Sequence, residues 1–208
     1  MNVKISYGIT THNEPAEYFT ALFGTLLKYK REEDEIIILD DESDNPDTIA
    51  ELNKLRSVVK IETKKFNYDF AAHKNYLNSL CKGTHIFQID ADESLHKDFI
   101  RVLPEIVFMN PTVDLYYFPR INVVPGLTQD DINKWRWAVN EQGFINYPDW
   151  QGRLYKNNPN IVWTGKVHER ITGQKEHCYL PKDEVYSILH IKTIDRQRLQ
   201  NELYNTLQ

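Results

Sequence analysis

The sequence predicts an α/β chain built on one mostly parallel central sheet with helices on both faces. Two observations carry this. Short apolar runs rich in Ile, Val and Phe alternate, over residues 4–94, with stretches whose apolar residues recur at helical spacing. Strands joined through helices of ten or more residues call for parallel pairing, with the helices packed back on the sheet. At 208 residues the chain fits a single domain, 1–208, long enough to bury a core.

Taken in order, Lys4 to Ile9 reads as a strand. Thr10 to Glu14 is a polar turn, with Pro15 placed near the first helical position. Phe19, Leu22, Phe23, Leu26 and Leu27 then form a one-sided helical stripe. Ile36 to Leu39 is a second strand ending in Asp40, Asp41, Glu42, Ser43 and Asp44, and Asn45-Pro46 opens a helix carrying Ile49, Leu52 and Leu55. Val58 to Glu62 is a third strand, residues 70–82 a helix closed by Gly83, and the run from His85 a fourth strand. Beyond it, Pro119 to Gly126 reads as a loop, Asp130 to Val139 as a short helix, and Thr193 to Gln208 as a polar helical tail.

Several function classes drop out on composition. No stretch of about eighteen apolar residues and no charged-then-apolar leader at Met1 is present, so the expectation is a cytoplasmic protein without a membrane span. Cys81 and Cys178 lack metal or redox spacing and read as free thiols. Residues 1–119 carry 13 basic against 20 acidic side chains, a balance of −7; residues 120–208 carry 12 against 10, a balance of +2. That is too weak a basic surplus for nucleic acid. There is no GxGxxG and no GxxxxGK[ST], so no glycine-rich loop explains a phosphate ligand.

The fourth strand ends in Asp90, Ala91, Asp92 and Glu93. Ligands of open α/β sheets bind beyond the carboxyl ends of strands, so Asp90 and Asp92 would face a substrate there. Mg²⁺ is typically held by one or two carboxylates and completed by substrate phosphates and water. A phosphorylated substrate at an acidic site calls for such a cation. An acidic helix start would give the same residues.

Four blocks in this order, residues 5–14 (ISYGITTHNE), 38–45 (ILDDESDN), 66–75 (FNYDFAAHKN) and 86–94 (IFQIDADES), resemble the donor-binding half of the family 2 glycosyltransferases of small phage and bacterial type. That family has the Rossmann-like GT-A fold. The resemblance implies a nucleotide-sugar-binding half at 1–94 and an acceptor-side half at 95–208. It implies that Thr10, Asn13 and Glu14 line the nucleoside pocket and that Asp41 meets base or ribose. Asp69 and Lys74 correspond to the family's block after the third strand, Asp90 to its ribose contact, and Asp92 to a ligand of Mn²⁺ or Mg²⁺. Tyr68 and Lys74-Asn75 depart from the glycine and Arg-Asn usual there.

Downstream, residues 148–169 (PDWQGRLYKNNPNIVWTGKVHE) resemble the family's acidic helix start followed by a strand ending in His. Asp149 then stands for the second acid of a Glu-Asp pair, Pro148 replacing the first; Arg153 for the later Arg; and His168 for a second metal ligand. His190, in the apolar run Val185 to Ile191, is a reserve ligand. Asp149 and Glu169 are the two candidate bases. Asp149 is preferred, because a helix start would keep its carboxylate ionised. Trp135, Trp137, Trp150 and Trp163 read mainly as filling beneath an irregular region, with one or two facing an acceptor.

The expected function is metal-dependent transfer of a sugar, with inversion, from a nucleotide-diphosphate donor, a UDP-sugar first among them. The acceptor is open: glycan, wall polymer, protein or modified DNA base, in the host cytoplasm if the chain is phage-encoded. The rival readings are a nucleotidyltransferase acting on sugar phosphates and a non-catalytic nucleotide-sugar-binding module.

Overall fold

A computed structural model describes residues 2–207. The first half alternates as expected: β1 (Ile5–Thr11), α1 (Ala16–Tyr29), β2 (Glu35–Asp40), α2 (Pro46–Leu55), β3 (Lys60–Thr63), α3 (Phe70–Leu80) and β4 (His85–Asp90). The second half holds β5 (Glu93–Leu95), α4 (Lys97–Met109), β6 (Leu115–Phe118), β7 (Arg120–Val123), α5 (Gln129–Trp135), β8 (Gln151–Lys156), β9 (Val162–Thr164), β10 (Arg170–Thr172), β11 (His177–Tyr179), β12 (Ile188–Ile191) and α6 (Ile194–Leu207). Seven strands make one sheet in the order β11-β6-β8-β4-β1-β2-β3. The pairs β1–β2, β2–β3 and β1–β4 are parallel, and β8 runs antiparallel between β4 and β6.

Alternation along the strands divides the core into two layers. Ile36 and Ile38 of β2 pack with Phe19, Leu22 and Leu26 of α1, Leu52 of α2 and Phe99 of α4; Ile37 and Leu39 pack on the other face with Ala71 and Leu77 of α3. Each such fully buried side chain stabilises the fold by roughly 1.5–3 kcal/mol relative to exposure. Of the α1 stripe, Leu27 alone stays 39% exposed, at the edge of the buried face.

The chain leaves β1 to one side through β2 and β3 and returns to the other side as β4, which puts a topological switch point between β1 and β4. Thr10 pairs in register with Asp90, and Thr11 with Asp40, so the polar strand ends lie side by side at that point.

Four local expectations are corrected. Residues 120–123 are not loop but β7, which pairs with β12 in a small sheet β5-β12-β7. The short helix is α5, begun by the capping box of Thr128 and Asp131, and Val139 lies beyond it. Asp149 starts no helix; it sits with φ 30° just before strand β8. Gly83 does not close α3, which is capped at Cys81. A Cβ at Gly83 would stand 2.7 Å from both Lys4 O and Ser6 N, so its role is close approach to β1. The expected tail helix is α6; Met1 and Gln208 lie outside the described residues.

Candidate active site

A cleft of about 1030 Å³ opens at the carboxyl ends of β1, β2 and β4, walled on its far side by β7, β12 and the start of α6. The strand-end acids are built in from three elements. Asp90 Oδ1 accepts from Thr10 Oγ1 at 3.0 Å, and Oδ2 accepts from Arg153 Nη2 at 3.0 Å, across from β8. The same Nη2 donates to Glu93 Oε1 at 2.7 Å, while Glu93 Oε2 accepts the Asp90 N–H at 3.0 Å. Glu93 is therefore a buried anchor that shapes the turn, rather than a third acid facing ligand. Burial pushes the Asp90 carboxyl up, but Arg153 and Lys74 outweigh it and hold the group far below the usual carboxylate range.

Asp92 faces β12. Its Oδ2 lies 2.9 Å from Lys192 Nζ and 3.3 Å from His190 Nε2. Burial raises this carboxyl as well, and His190 and Lys192 more than reverse the effect. The histidine against Asp92 is thus His190, whereas His168 lines the same cleft from the β9–β10 loop, with φ 55°. Among the described residues no group of three His, Cys, Asp or Glu forms a ready metal cage. The Asp92–His190 pair fits a hard divalent ion that takes its remaining ligands from phosphate and water, provided Lys192 Nζ, 2.9 Å from the same Asp92 Oδ2, swings onto the phosphate. One carboxylate oxygen and one imidazole nitrogen face each other, and His190 Nδ1 is held by Asn122 Oδ1 at 2.9 Å, the outer contact a ligating histidine normally has.

Beside this pair on the same wall, Asp149 Oδ2 accepts from Arg120 Nε at 2.9 Å, Arg120 Nη2 at 2.8 Å and Asn122 Nδ2 at 2.7 Å, and Oδ1 accepts from Gln151 Nε2 at 3.0 Å. Burial raises its pKa, and Arg120, Asn122 and Gln151 bring it below the ordinary carboxylate value. Side-chain donors do here what a helix start was expected to do. Glu169 instead accepts from Lys74 Nζ at 2.6 Å, and that ammonium lies 4.5 Å from the centre of the Trp163 ring.

At the nucleoside end, Glu14 Oε2 accepts from Thr11 Oγ1 at 2.5 Å and from the His12 N–H at 2.6 Å. Asn13 ties the β1 and β2 loops together, its Oδ1 accepting the Asp44 and Asn45 N–H groups at 3.0 and 2.9 Å. Asp41 Oδ1 accepts the Phe66 N–H at 2.6 Å, beneath a cluster of Phe66, Phe70 and His73.

The sequence profile of Glycosyl transferase family 2 matches residues 6–174. The chain belongs to this family. An uncharacterized glycosyltransferase of Rickettsia conorii is 31% identical over 121 residues, which cover 58% of this chain and 40% of that protein. Crystal structures of residues 1–349 of S. aureus TarS share the GT-A fold. The complex with UDP superposes with a TM-score of 0.62 at 15% identity over 91% of this chain, and that with UDP-GlcNAc with 0.61 at 15% over 92%. This family 2 chain spans 40% of the curated relative and about 60% of the TarS structures.

Every residue expected at the site of this family 2 chain lines the cleft except Asp69, whose carboxylate caps α3 by accepting the Ala72 N–H at 2.9 Å. Tyr68, where the family usually has glycine, has φ 57°, the left-handed backbone that glycine favours. Asn75 of the same block clamps β9 to α3, exchanging hydrogen bonds of 2.8 and 2.9 Å with the Trp163 backbone. Of the tryptophans, Trp137 and Trp163 line the cleft, and Trp150 packs edge-on against Tyr179. Sequence reasoning missed Arg120, Asn122, Gln151, Lys192 and Arg196. The signal present was too short to read: Arg120 and Asn122 are two apart on the four-residue β7, and His190 and Lys192 are two apart where β12 ends at Ile191.

Proposed function

We propose that the chain transfers a sugar from a nucleotide-diphosphate donor, a UDP-sugar first among candidates, to an acceptor nucleophile in one inverting displacement. The observation that carries this reading is the convergence in one cleft of the strand-end pair Asp90 and Asp92 with Asp149, a carboxylate held ionised and still 26% exposed. The UDP and UDP-GlcNAc complexes of TarS support a uridine nucleotide as the donor.

In this reading Thr10, Asn13, Glu14 and Asp41 shape the nucleoside end, and Asp90, fixed by Arg153, meets the ribose. Asp92 and His190 would hold Mn²⁺ or Mg²⁺, whose charge offsets that developing on the diphosphate leaving group. Lys192 and Arg196 add fixed positive charge on the same wall, Arg196 lying 3.6 Å from Glu14. His168 and Glu169 approach from the β9–β10 loop, on the sugar side. Asp149 takes the acceptor proton at Oδ1, the oxygen with a single donor on it, while Oδ2 stays locked by Arg120 and Asn122. With one base and no second nucleophile assigned, a single displacement inverts the anomeric centre.

The test offers a panel of nucleotide sugars with glycan, wall-polymer, protein and modified-DNA acceptors in turn, and follows products by mass spectrometry. Release of nucleoside diphosphate with a glycosylated acceptor is expected. Release of pyrophosphate would make the chain a nucleotidyltransferase, and donor binding without turnover of any acceptor or water would make it a binding module. Bound donor at a hundred times its Kd should stabilise the fold by about 2.7 kcal/mol, a thermal shift that ranks the panel before chemistry is assayed.

A further inference from the structure

Asn122 belongs to none of the blocks that carry the family resemblance, yet it touches both halves of the chemistry. It lies on β7, paired in register with His190 of β12, and its carbonyl oxygen accepts the Ile145 N–H at 3.0 Å, which fixes its backbone on both sides. Its side-chain Nδ2 faces Asp149 Oδ2 at 2.7 Å and Ile145 O at 3.4 Å. A carboxylate and a carbonyl only accept, so the NH₂ group must point that way and Oδ1 must point toward His190. Oδ1 in turn only accepts, so His190 Nδ1, at 2.9 Å, carries the proton. Nε2 is then the ring nitrogen that faces Asp92, 3.3 Å away.

We propose that Asn122 is a positioning residue that couples the proton acceptor to the donor side: one amide holds Asp149 in place and, by accepting from His190 Nδ1, holds the ring with Nε2 toward Asp92. The inference rests on the transferase reading for its meaning, and on hydrogen-bond directionality for its geometry. Because the amide is planar, rotating it to suit one partner moves it off the other. The distance between base and donor pair is therefore set by a single rigid group on a strand, not by two independent loops.

The two arms separate in two variants. Asn122→Ala removes both. Mn²⁺ affinity should fall about tenfold or more. Turnover should fall about tenfold or more, while UDP affinity measured in EDTA changes by less than about twofold, contacts to the nucleoside being remote. Asn122→Asp still accepts from His190 Nδ1–H but sets a carboxylate against Asp149. It should keep at least parental Mn²⁺ affinity and lose turnover as the alanine variant does.

The proposal is overturned if Asn122→Ala leaves Mn²⁺ affinity unchanged, or if Asn122→Asp loses it as fully as Asn122→Ala. Should either variant fail to fold, Asn122→Ser, whose hydroxyl cannot reach both partners, takes its place, and unchanged Mn²⁺ affinity together with unchanged turnover overturns the proposal. The Mn²⁺ measurement needs no acceptor, so it stands even if the transferase reading fails. Loss of that reading alone would appear as an intact relay in a protein that transfers nothing.

Discussion

Arg153 is nearly inaccessible, with 4% of its side chain exposed, and it bridges Asp90 to a Glu93 side chain with no exposure at all. Removing one partner of such a cluster leaves a buried charge without compensation, which costs about 3–5 kcal/mol. Arg153→Ala should therefore lose that much in urea denaturation, because Arg120 reaches Glu93 only at 3.4 Å. A loss under about 1 kcal/mol would mean that Arg120 suffices. At the same scale, Asp149→Asn keeps the shape of the carboxylate and removes the base. Turnover should drop by roughly a hundredfold or more with donor affinity near normal. Glu169→Gln should cost less turnover and more donor affinity, since it releases Lys74 beside Trp163. Reversed effects would move the base to Glu169. The depressed pKa of Asp149 has a sign as well: the base is ionised above its pKa, so the acid limb of kcat should fall below the ordinary carboxylate value of about 4, not above it.

Among the elements, what could be read in advance follows from how each side chain is paid for locally. β1, β2 and β4 announce themselves because strands covered on both faces read as unbroken apolar runs, and α1 because a helix covered on one face reads as a stripe. β7 was illegible: Arg120, Ile121, Asn122 and Val123 alternate polar and apolar over only four residues, with Pro119 before them. Its polar members earn their place across the chain, at Asp149, Glu93 and His190, and spacing along the sequence does not encode such contacts. Asp149 was found as an acid but given the wrong element, because Pro148 before an acid mimics a helix start and only the sheet shows β8 following. His190 was held in reserve behind His168, since register between β5 and β12, not the sequence, sets it beside the Asp92 turn. The β9–β10 hairpin depends on one residue in turn. Gly173 has φ 90°, and a Cβ there would stand 1.7 Å from Asn160 O. Gly173→Ala must push that backbone aside, at about 1–3 kcal/mol or more. Because the hairpin hangs the loop bearing His168 and Glu169, the same variant should weaken donor binding. A variant with parental stability would show that the hairpin relaxes freely.

Across the whole molecule the cleft makes stability depend on pH in two opposed ways. Asp90, Asp92 and Asp149 all have folded-state pKa values below the ordinary carboxylate value. The unfolded chain thus binds protons before the folded one does. Their contribution is present above about pH 4 and is lost as pH falls through the folded values. Glu14 has the opposite sign. Burial raises its pKa, and the Thr11 and His12 hydrogen bonds and the Arg196 charge do not fully reverse it. What it contributes is present below its unfolded value and is lost as pH rises through the folded one, so at neutral pH it is an ionised group in a site that disfavours ionisation. Urea denaturation across pH 2.5 to 7.5 should show stability collapsing below about pH 4. Glu14→Gln, which can still accept from Thr11 and His12, should be more stable than the parent at pH 7, and that advantage should vanish below about pH 4, where the parental carboxyl is protonated too. An advantage that persisted unchanged into acid would mean that packing, not ionisation, sets the effect. A loss at every pH would mean that the Arg196 pair outweighs burial. The gain should come with weaker donor binding, since Glu14 lines the cleft at the nucleoside end.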